Sequence, residues 1–484
     1  MNKLSWYYDR YRDRAQESQV CEANTPEVCR ASLNKLRGCY SDGNRDILSY
    51  LPDPIRSHIV SFLPMKDAIR TKILSRRWKP ICSSLSRLKF HYDDFDNLRE
   101  FRNYVDRTLI LHDGSDITKF NSLFKVDDDI ITTDHVSAWV TFAIQHKVRH
   151  LKLRLPYDSC KLESLPCCFF TCSTLSILHL KGCKNLKWPK VIDFPMLKHL
   201  KVKYVTFYDE NVTNKLFSSS ACPVLEELSI DSCKFDGVHT LSISFPSLKI
   251  LKLKDLNFVA VNLSIPILTK IVYRCSEPPN VSCETISSIF DACFHCYMMD
   301  SIEDQHAFRN SARKILASLS NVCTLSFRSE MIDVLATDPD LLDYLPASYC
   351  NLKHFNVDIM STQRHVEVVA CLLKTAPNLQ TLCICFEEDS EFSDVLNRQE
   401  YWQLNELSIA DSLRHLKNVQ IWNFKGCASE MEILRRLLGS ASTLEEMSIS
   451  YERDIGNFIQ NRMKFSEIMS SFKRVSPHAT ILFQ

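Results

Sequence analysis

The side chains able to do chemistry are plentiful in this chain, but their spacing does not assemble a reactive centre. There are 21 cysteines and 15 histidines, the residue types from which nucleophilic and metal sites are built. Cys293-Phe-His-Cys296, with Cys283 upstream, has the C-x-x-C spacing of half a zinc site. No second pair follows at a useful distance, so these thiols read as small, half-buried apolar residues and no metal is expected. Only 8 glycines are present, and apart from Gly38 and Gly43 they are widely separated. That excludes G-x-G-x-x-G, the GxxxxGK[ST] phosphate loop and the G-x-S-x-G elbow, each of which needs clustered glycines for tight turns and close backbone approach. A Cys/His pair converging in space is the enzymatic alternative, and no local nucleophile signature supports it. No catalytic residue and no cofactor is therefore expected. The runs Asp127-Asp128-Asp129 and Glu387-Glu388-Asp389 read as exposed loops.

Charge is balanced, with 59 Lys plus Arg against 58 Asp plus Glu. Nothing global thus argues for nucleic acid or an anionic membrane. No run of about 18 apolar residues is present, so no transmembrane helix is expected. The stretch MNKLSWYYDRYRDRAQ lacks a signal-peptide core, which points to the nucleus or cytoplasm rather than secretion, with reduced thiols.

The elements that must position any binding surface are visible as a period. Pro-x-Leu-x-x-Leu/Ile-x-apolar is written five times, beginning at Pro195, Pro223, Pro246, Pro266 and Pro377. Related segments without the proline start at Val148, Leu175, Val322, Leu352, Leu413 and Leu444. Leading leucines at 175, 197, 225, 248 and 268 are 22, 28, 23 and 20 residues apart, mostly within the leucine-rich-repeat range. The last three residues of each motif alternate, so two apolar side chains face inward from a short strand and the residue between them faces out. One such turn cannot bury its apolar face, whereas stacked turns share a continuous core. Cys183 and Cys233 fall at the Asn/Cys position of the repeat, and Cys275 falls one residue short of it. Past Pro278-Pro279 the steps lengthen to about thirty, leaving room for a helix per unit, as at 312–319, 366–373 and 430–438. Ser429 with Glu432 reads as a capping box and Gly439 as the end of the last of these helices. A final helix carrying Phe465, Ile468, Met469 and Phe472, then a strand 478–483, reads as a cap on the array.

Residues 1–44 are polar and aperiodic and read as a disordered extension. From Asp46 the helix signals are dense: Asp53 as N-cap with Pro54 at N1, then Ile55, Ile59 and Phe62 or Leu63 on one face, then Pro64 as a breaker, then 66–74 and Arg76-Arg77-Trp78. Three short helices cannot bury that much apolar surface alone, and exposed apolar faces on a small module usually mean a partner.

This segment, with Leu51-Pro52, Ile55/Ile59, the Phe62-Leu63-Pro64-x-Lys66-Asp67-Ala68 run and Leu74-Ser75-Arg76-Arg77-Trp78, resembles an F-box. Residues 104–150, with Tyr104-Val105-Asp106 and Trp139-Val140, resemble the joining region of plant F-box/leucine-rich-repeat proteins, and 412–449 resembles their FBD module. The resemblance implies an α/β architecture: a small all-α F-box module, then an irregular leucine-rich-repeat solenoid (a horseshoe) with an FBD cap. The expected divisions are 1–44 extension, 45–92 F-box, 93–147 joining region, 148–400 repeats and 401–484 FBD region. It implies a non-catalytic substrate-recognition subunit of a Skp–Cullin–F-box ubiquitin ligase, with a Skp-type adaptor and through it a cullin as partners. Adaptor contacts carry over to Leu51, Pro52, Ile55, Ile59, Leu63, Leu74 and Trp78. Arg56 stands where the family often has an apolar residue, and Cys82 where many members have tryptophan; a repeat scaffold whose F-box no longer docks is the alternative they support.

In a horseshoe the residues between inward positions line the concave face: Lys152 and Arg154, His179 and Lys181, Lys201 and Lys203, Ser229 and Asp231, Lys252 and Lys254, Val272 and Arg274. Strands about 4.8 Å apart would stack most of these charges in one column. Like charges that close repel, so one reading of Lys152, Arg154, His179, Lys181, Lys201, Lys203, Lys252 and Lys254 is a surface for an acidic protein substrate, or an anionic small molecule assisting one; the other is that the lysines only keep a solvated face soluble. No nucleic-acid or membrane partner is expected.

Overall fold

The computed structural model describes residues 51–63, 65–126, 130–155, 162–256, 259–275, 279–281, 288–296, 310, 312–317, 319, 321–336, 348–387, 413–451, 468–469 and 471–483. The extension 1–44, Pro64, the Asp127–Asp129 run, Cys283, Glu388-Asp389 and Phe465 lie outside the described residues. The chain divides into two compact units, 1–89 with 110–115, and 90–109 with 116–484.

The first unit contains three short helices. The first, Asp53–Phe62, starts one residue earlier than expected: Pro52 is the N-cap, and Asp53 and Pro54 both lie in the first turn. Proline is tolerated there because those amides have no intrahelical acceptor, and Asp53, released from capping, pairs with Arg56. The helix ends at Phe62 and Leu63 is extended (ψ 149°), the conformation a following proline favours. The second helix, Met65–Arg70, is shorter than its periodicity suggests and tightens into a 3-10 turn over Thr71–Ile73. The Thr71 hydroxyl and the Cys82 thiol both donate to the Ala68 carbonyl, at 2.7 and 3.2 Å. Side-chain donors of this kind compete with a continuing α-helical ladder. The third helix, Trp78–Ser83, brings Trp78 and Ile81 into a core with Val60, Met65, Ala68 and Leu85.

The second unit is built on a fifteen-stranded sheet. Its strands are β1 (Arg87–His91), β2 (Lys119–Leu123), β3 (His150–Arg154), β4 (Ile177–Lys181), β5 (His199–Lys203), β7 (Glu227–Asp231), β10 (Ile250–Lys254), β12 (Lys270–Cys275), β14 (Asp291–Cys296), β15 (Thr324–Phe327), β16 (His354–Ile359), β17 (Thr381–Phe386), β18 (Asn418–Phe424), β19 (Glu446–Tyr451) and β20 (Thr480–Phe483), in that spatial order. Shorter sheets join β6 (Thr206–Phe207) to β8 (Lys234–Phe235), and β9 (Thr240–Ser244), β11 (Ala260–Ser264) and β13 (Asn280–Val281). From β2 to β20 every neighbouring pair of the large sheet is parallel.

The register is the repeat made physical. Leu151, Leu178, Leu200, Leu228, Leu251 and Ile271 stand in line across six strands, all buried. Each strand hands over at a left-handed corner: Gly182, Tyr204, Ser232 and Asp255 have φ of 82°, 55°, 51° and 51°. Their amides extend the ladder by one bond each, from Gly182 to the Lys203 carbonyl (2.9 Å), Tyr204 to Asp231 (3.1 Å), Ser232 to Lys254 (2.8 Å) and Asp255 to Arg274 (2.6 Å). Cys183 and Cys233, just past two of these corners, and Cys275, at the end of β12, are buried. Burial pushes the Cys233 and Cys275 thiols up to about 12.

Where the repeat lengthens, helices replace the small strands: Ser329–Ala336, Gln363–Lys374 and Ala428–Ser440. The last corrects the capping-box reading. Its N-cap is Cys427, and Ser429 lies inside the helix, donating to the Ser361 carbonyl at 2.7 Å. The carboxylate that accepts from the free amides is Glu430, from Lys425 (2.8 Å) and Gly426 (2.7 Å). Glu432 instead pairs with Arg435 and Arg436. Gly439 lies within the last turn, because the helix continues to Ser440. Cys293-Phe-His-Cys296, the half-zinc-site spacing, is strand β14. Glu387 is a partner of Arg328 rather than a loop acid.

Candidate functional site

In the first unit the apolar residues named from sequence fall into three positions. Pro52, Leu63 and Leu74 are exposed, while Leu51, Ile55 and Ile59 are half-buried. Trp78, in contrast, is 1% exposed. It is covered rather than presented, because the buried Arg56 guanidinium lies over its ring at 5.8 Å and donates to the Arg77 carbonyl at 2.6 Å. Trp78 therefore supports the surface from within. Arg56, read as a polar departure on a contact face, is part of that core. Cys82 likewise turns inward to the Ala68 carbonyl.

Two further apolar residues are exposed, Phe62 at 75% and Ile73 at 79%, as is Leu74 at 57%. A continuous helix over 66–74 would have put Ile73 one turn from Ile69 on the inner face. The 3-10 turn, with its different angular step, rotates it outward. The backbone-bonding Thr71 and Cys82 were the signal available in the sequence.

In the second unit the eight named basic residues come together on the open face of the sheet. Lys152, His179, Lys201, Ser229, Lys252 and Val272 form one row across β3 to β12, and Arg154, Lys181, Lys203, Asp231, Lys254 and Arg274 a second. A third row precedes them: His150, Ile177, His199, Glu227, Ile250 and Lys270. Sequence reasoning missed that row by counting only positions between inward residues, although alternation extends one step earlier.

The third row matters because Glu227 changes the electrostatics. It accepts from Lys252 at 2.8 Å and lies 3.3 Å from His199, and these bonds hold its carboxyl down to about 2. Asp231 accepts from Lys203 at 2.7 Å. Burial pulls the Lys203 ammonium down, but the bond to Asp231 and its charge outweigh this, so it sits above the ordinary lysine value. Lys203 and Lys252 are thus committed internally and the column is not uniformly repulsive. Arg154 donates to Asn121 at 3.2 Å and lies 2.8 Å from the His91 Nε2. His179, between Lys152 and Lys201, is driven down to about 3 by burial and by those two charges, and is neutral near pH 7. Lys181 is lowered by burial and by Lys203 and Arg154.

Further along, the second row continues from Arg274 to His295 on β14, and the guanidinium of Arg328, just past the end of β15, bridges Asp358 (3.3 Å) and Glu387 (3.0 Å). Burial pushes Asp358 up to about 6 despite Arg328. Among the described residues no group of three His, Cys, Asp or Glu could hold a metal ion, and no helix is long and apolar enough to cross a membrane.

Comparison with known proteins places both regions. A family model described as the At1g61320/AtMIF1 LRR domain matches residues 109–476, and the F-box domain model matches residues 48–90. The Arabidopsis thaliana FBD-associated F-box protein At5g22730 is 25% identical over 457 residues, spanning 85% of this chain and 89% of the relative. The Arabidopsis F-box/FBD/LRR-repeat protein At5g56420 is 34% identical over 214 residues, 43% of this chain and 49% of the relative. The FBD-associated F-box protein At4g10400 from the same plant is 32% identical over 211 residues, 43% of this chain and 50% of the relative. The helical module lies where the F-box matches and the parallel array where the leucine-rich-repeat domain matches, so the chain belongs to the plant F-box/leucine-rich-repeat family that includes the FBD-associated F-box proteins.

Proposed function

We propose that this chain is the substrate-recognition subunit of a Skp–Cullin–F-box ubiquitin ligase. The first unit docks on a Skp-type adaptor, and the open face of the repeats captures the protein to be ubiquitinated. The observation that carries the reading is the exposure of Phe62, Leu63, Ile73 and Leu74 on a module whose Trp78 and Arg56 are committed to its own interior. Burying each large apolar side chain contributes roughly 1.5–3 kcal/mol, so a few of them suffice for a stable complex. Leu51, Pro52, Ile55 and Ile59 complete the docking surface, and Trp78 acts by holding it in shape.

In this reading the divisions are F-box 45–92, joining region 93–147, repeats 148–400 and FBD region 401–484, with the parallel sheet as the inner face of a horseshoe and the last strands as its cap. The chain itself carries no ubiquitin-transfer chemistry, which belongs to other subunits, and it works in the nucleus or cytoplasm. Co-elution with a purified Skp-type adaptor tests the reading. A single complex is expected; separate elution of two folded proteins would leave the repeats as the function.

A further inference from the structure

The basic rows are not uniform, and the difference identifies a partner chemistry. Of the cations on β3, β4 and β5, Lys203 is neutralised by Asp231, and Arg154 is held by the neutral acceptors His91 and Asn121, with Asp93 also acting on it. Lys181 and Lys201 are exposed, and their side-chain ammonium groups make no hydrogen bond or ion pair among the described residues. They stand on adjacent strands in different rows, since Lys181 pairs in register with Lys203 and Lys201 with His179. Such diagonal neighbours are separated by about 7–8 Å. Alternate residues of an extended chain are about 6.7 Å apart. Two acidic side chains at i and i+2 of an extended segment therefore match Lys181 and Lys201, whereas a single small anion reaches one of them without reorganising the other.

The surroundings limit how far such a segment runs. Glu227 and Asp231 on β7 close one side, and beyond β15 Asp358, Glu387 and Glu330 gather around Arg328, where an acidic chain would be repelled. We propose that Lys181 and Lys201, flanked by Lys152 and Arg154, form the anchor for an extended acidic segment of the captured protein with Asp or Glu at alternate positions. This rests on the open face being the capture surface, and it is independent of adaptor docking.

The test uses the full chain and four probes: an extended peptide with Glu at alternate positions, the same peptide with Gln for Glu, inorganic tripolyphosphate, and a single-stranded RNA of equal charge. The acidic peptide is expected to bind, more weakly at higher salt, and the Gln peptide not to bind. Lys181→Glu with Lys201→Glu is expected to weaken peptide binding roughly tenfold or more, whereas Lys190→Glu, an exposed control outside the strands, leaves it unchanged. Lys181→Met with Lys201→Met keeps the result readable should the reversal perturb folding, and is expected to give an intermediate loss. No binding of the acidic peptide, equal loss in the Lys190 control, or tighter binding of tripolyphosphate or RNA than of the peptide would each overturn the proposal. Adaptor association measured on the same samples separates such a failure from a failure of docking.

Discussion

The Arg56 guanidinium lies 5.8 Å over the Trp78 ring, both side chains buried, and donates to the Arg77 carbonyl at 2.6 Å. A cation in that position is tolerated because the aromatic face, the backbone acceptor and Asp53 take over from water at the ring and the two terminal nitrogens. Arg56→Ala is expected to lower the stability of the first unit by about 2–3 kcal/mol through lost packing and an unpaired carbonyl. Arg56→Lys should recover little, since an ammonium cannot lie flat on the ring and reach both oxygens. Thermal unfolding followed by the Trp78 environment checks both; equal stability of the three proteins would contradict the packing described.

Among the described residues, Gly182 is the one corner where glycine is required for space as well as conformation. At φ 82° an added Cβ would be driven onto the carbonyl oxygen of Leu155, whose amide bonds the Lys181 carbonyl. Gly182→Ala is expected to cost more than about 1 kcal/mol in chemical denaturation of the repeat array. Ser232→Gly, at a corner of the same kind, is expected to be neutral or mildly stabilising.

His179 gives the open face a pH dependence of definite sign. Its folded value near 3 lies below the ordinary 6.5, so between those values the unfolded chain binds a proton that the folded chain refuses. Its contribution is complete above pH 6.5 and is lost as pH falls toward 3. His179→Gln is therefore expected to lose less stability than the unaltered chain between pH 7 and pH 4. Denaturation midpoints at several pH values measure this, and parallel curves would exclude it.

Arg328 works in the opposite direction. Asp358 already sits near 6 instead of 3.8, so its stabilisation is greatest at low pH and falls as pH rises toward 6. Removing the guanidinium in Arg328→Met lifts Asp358 further and extends that loss above pH 6. The variant is expected to be destabilised by about 2–3 kcal/mol at pH 8, a value kept modest by partial exposure of the carboxylates, and by less at pH 5.

The array was legible because its inward residues repeat with a fixed strand alternation, and leucines in that pattern have one way to be buried together. The strand β14 escaped because Asp291-Ala-Cys-Phe-His-Cys296 has no leading leucine; its register comes from its neighbours on either side. Tyr104-Val105-Asp106 and Trp139-Val140 could be quoted as separate motifs, but not that the Trp139 indole donates to Asp106 at 2.7 Å, a contact across 33 residues with no local signal. In the first unit, the resemblance names positions but not which of them are buried: Trp78 and Arg56 lie inside, Leu63 and Leu74 outside. Arg56 reads as a departure from the family pattern and Trp78 as a contact because a residue-by-residue carry-over cannot show that the guanidinium lies buried over the indole. The internal pairing of Lys203 and Lys252 was hidden for a similar reason, since it depends on which acids a register of several strands brings alongside.

Docking of the first unit is tested most directly by calorimetric titration of the full chain with a Skp-type adaptor, beside Leu63→Arg with Leu74→Arg. Both side chains are exposed, so the double variant should melt with the unaltered protein. One-to-one binding by the unaltered chain, abolished in the double variant at unchanged melting temperature, is the expected result. No heat of binding from the folded unaltered chain, or equal affinity of the two proteins, would contradict it.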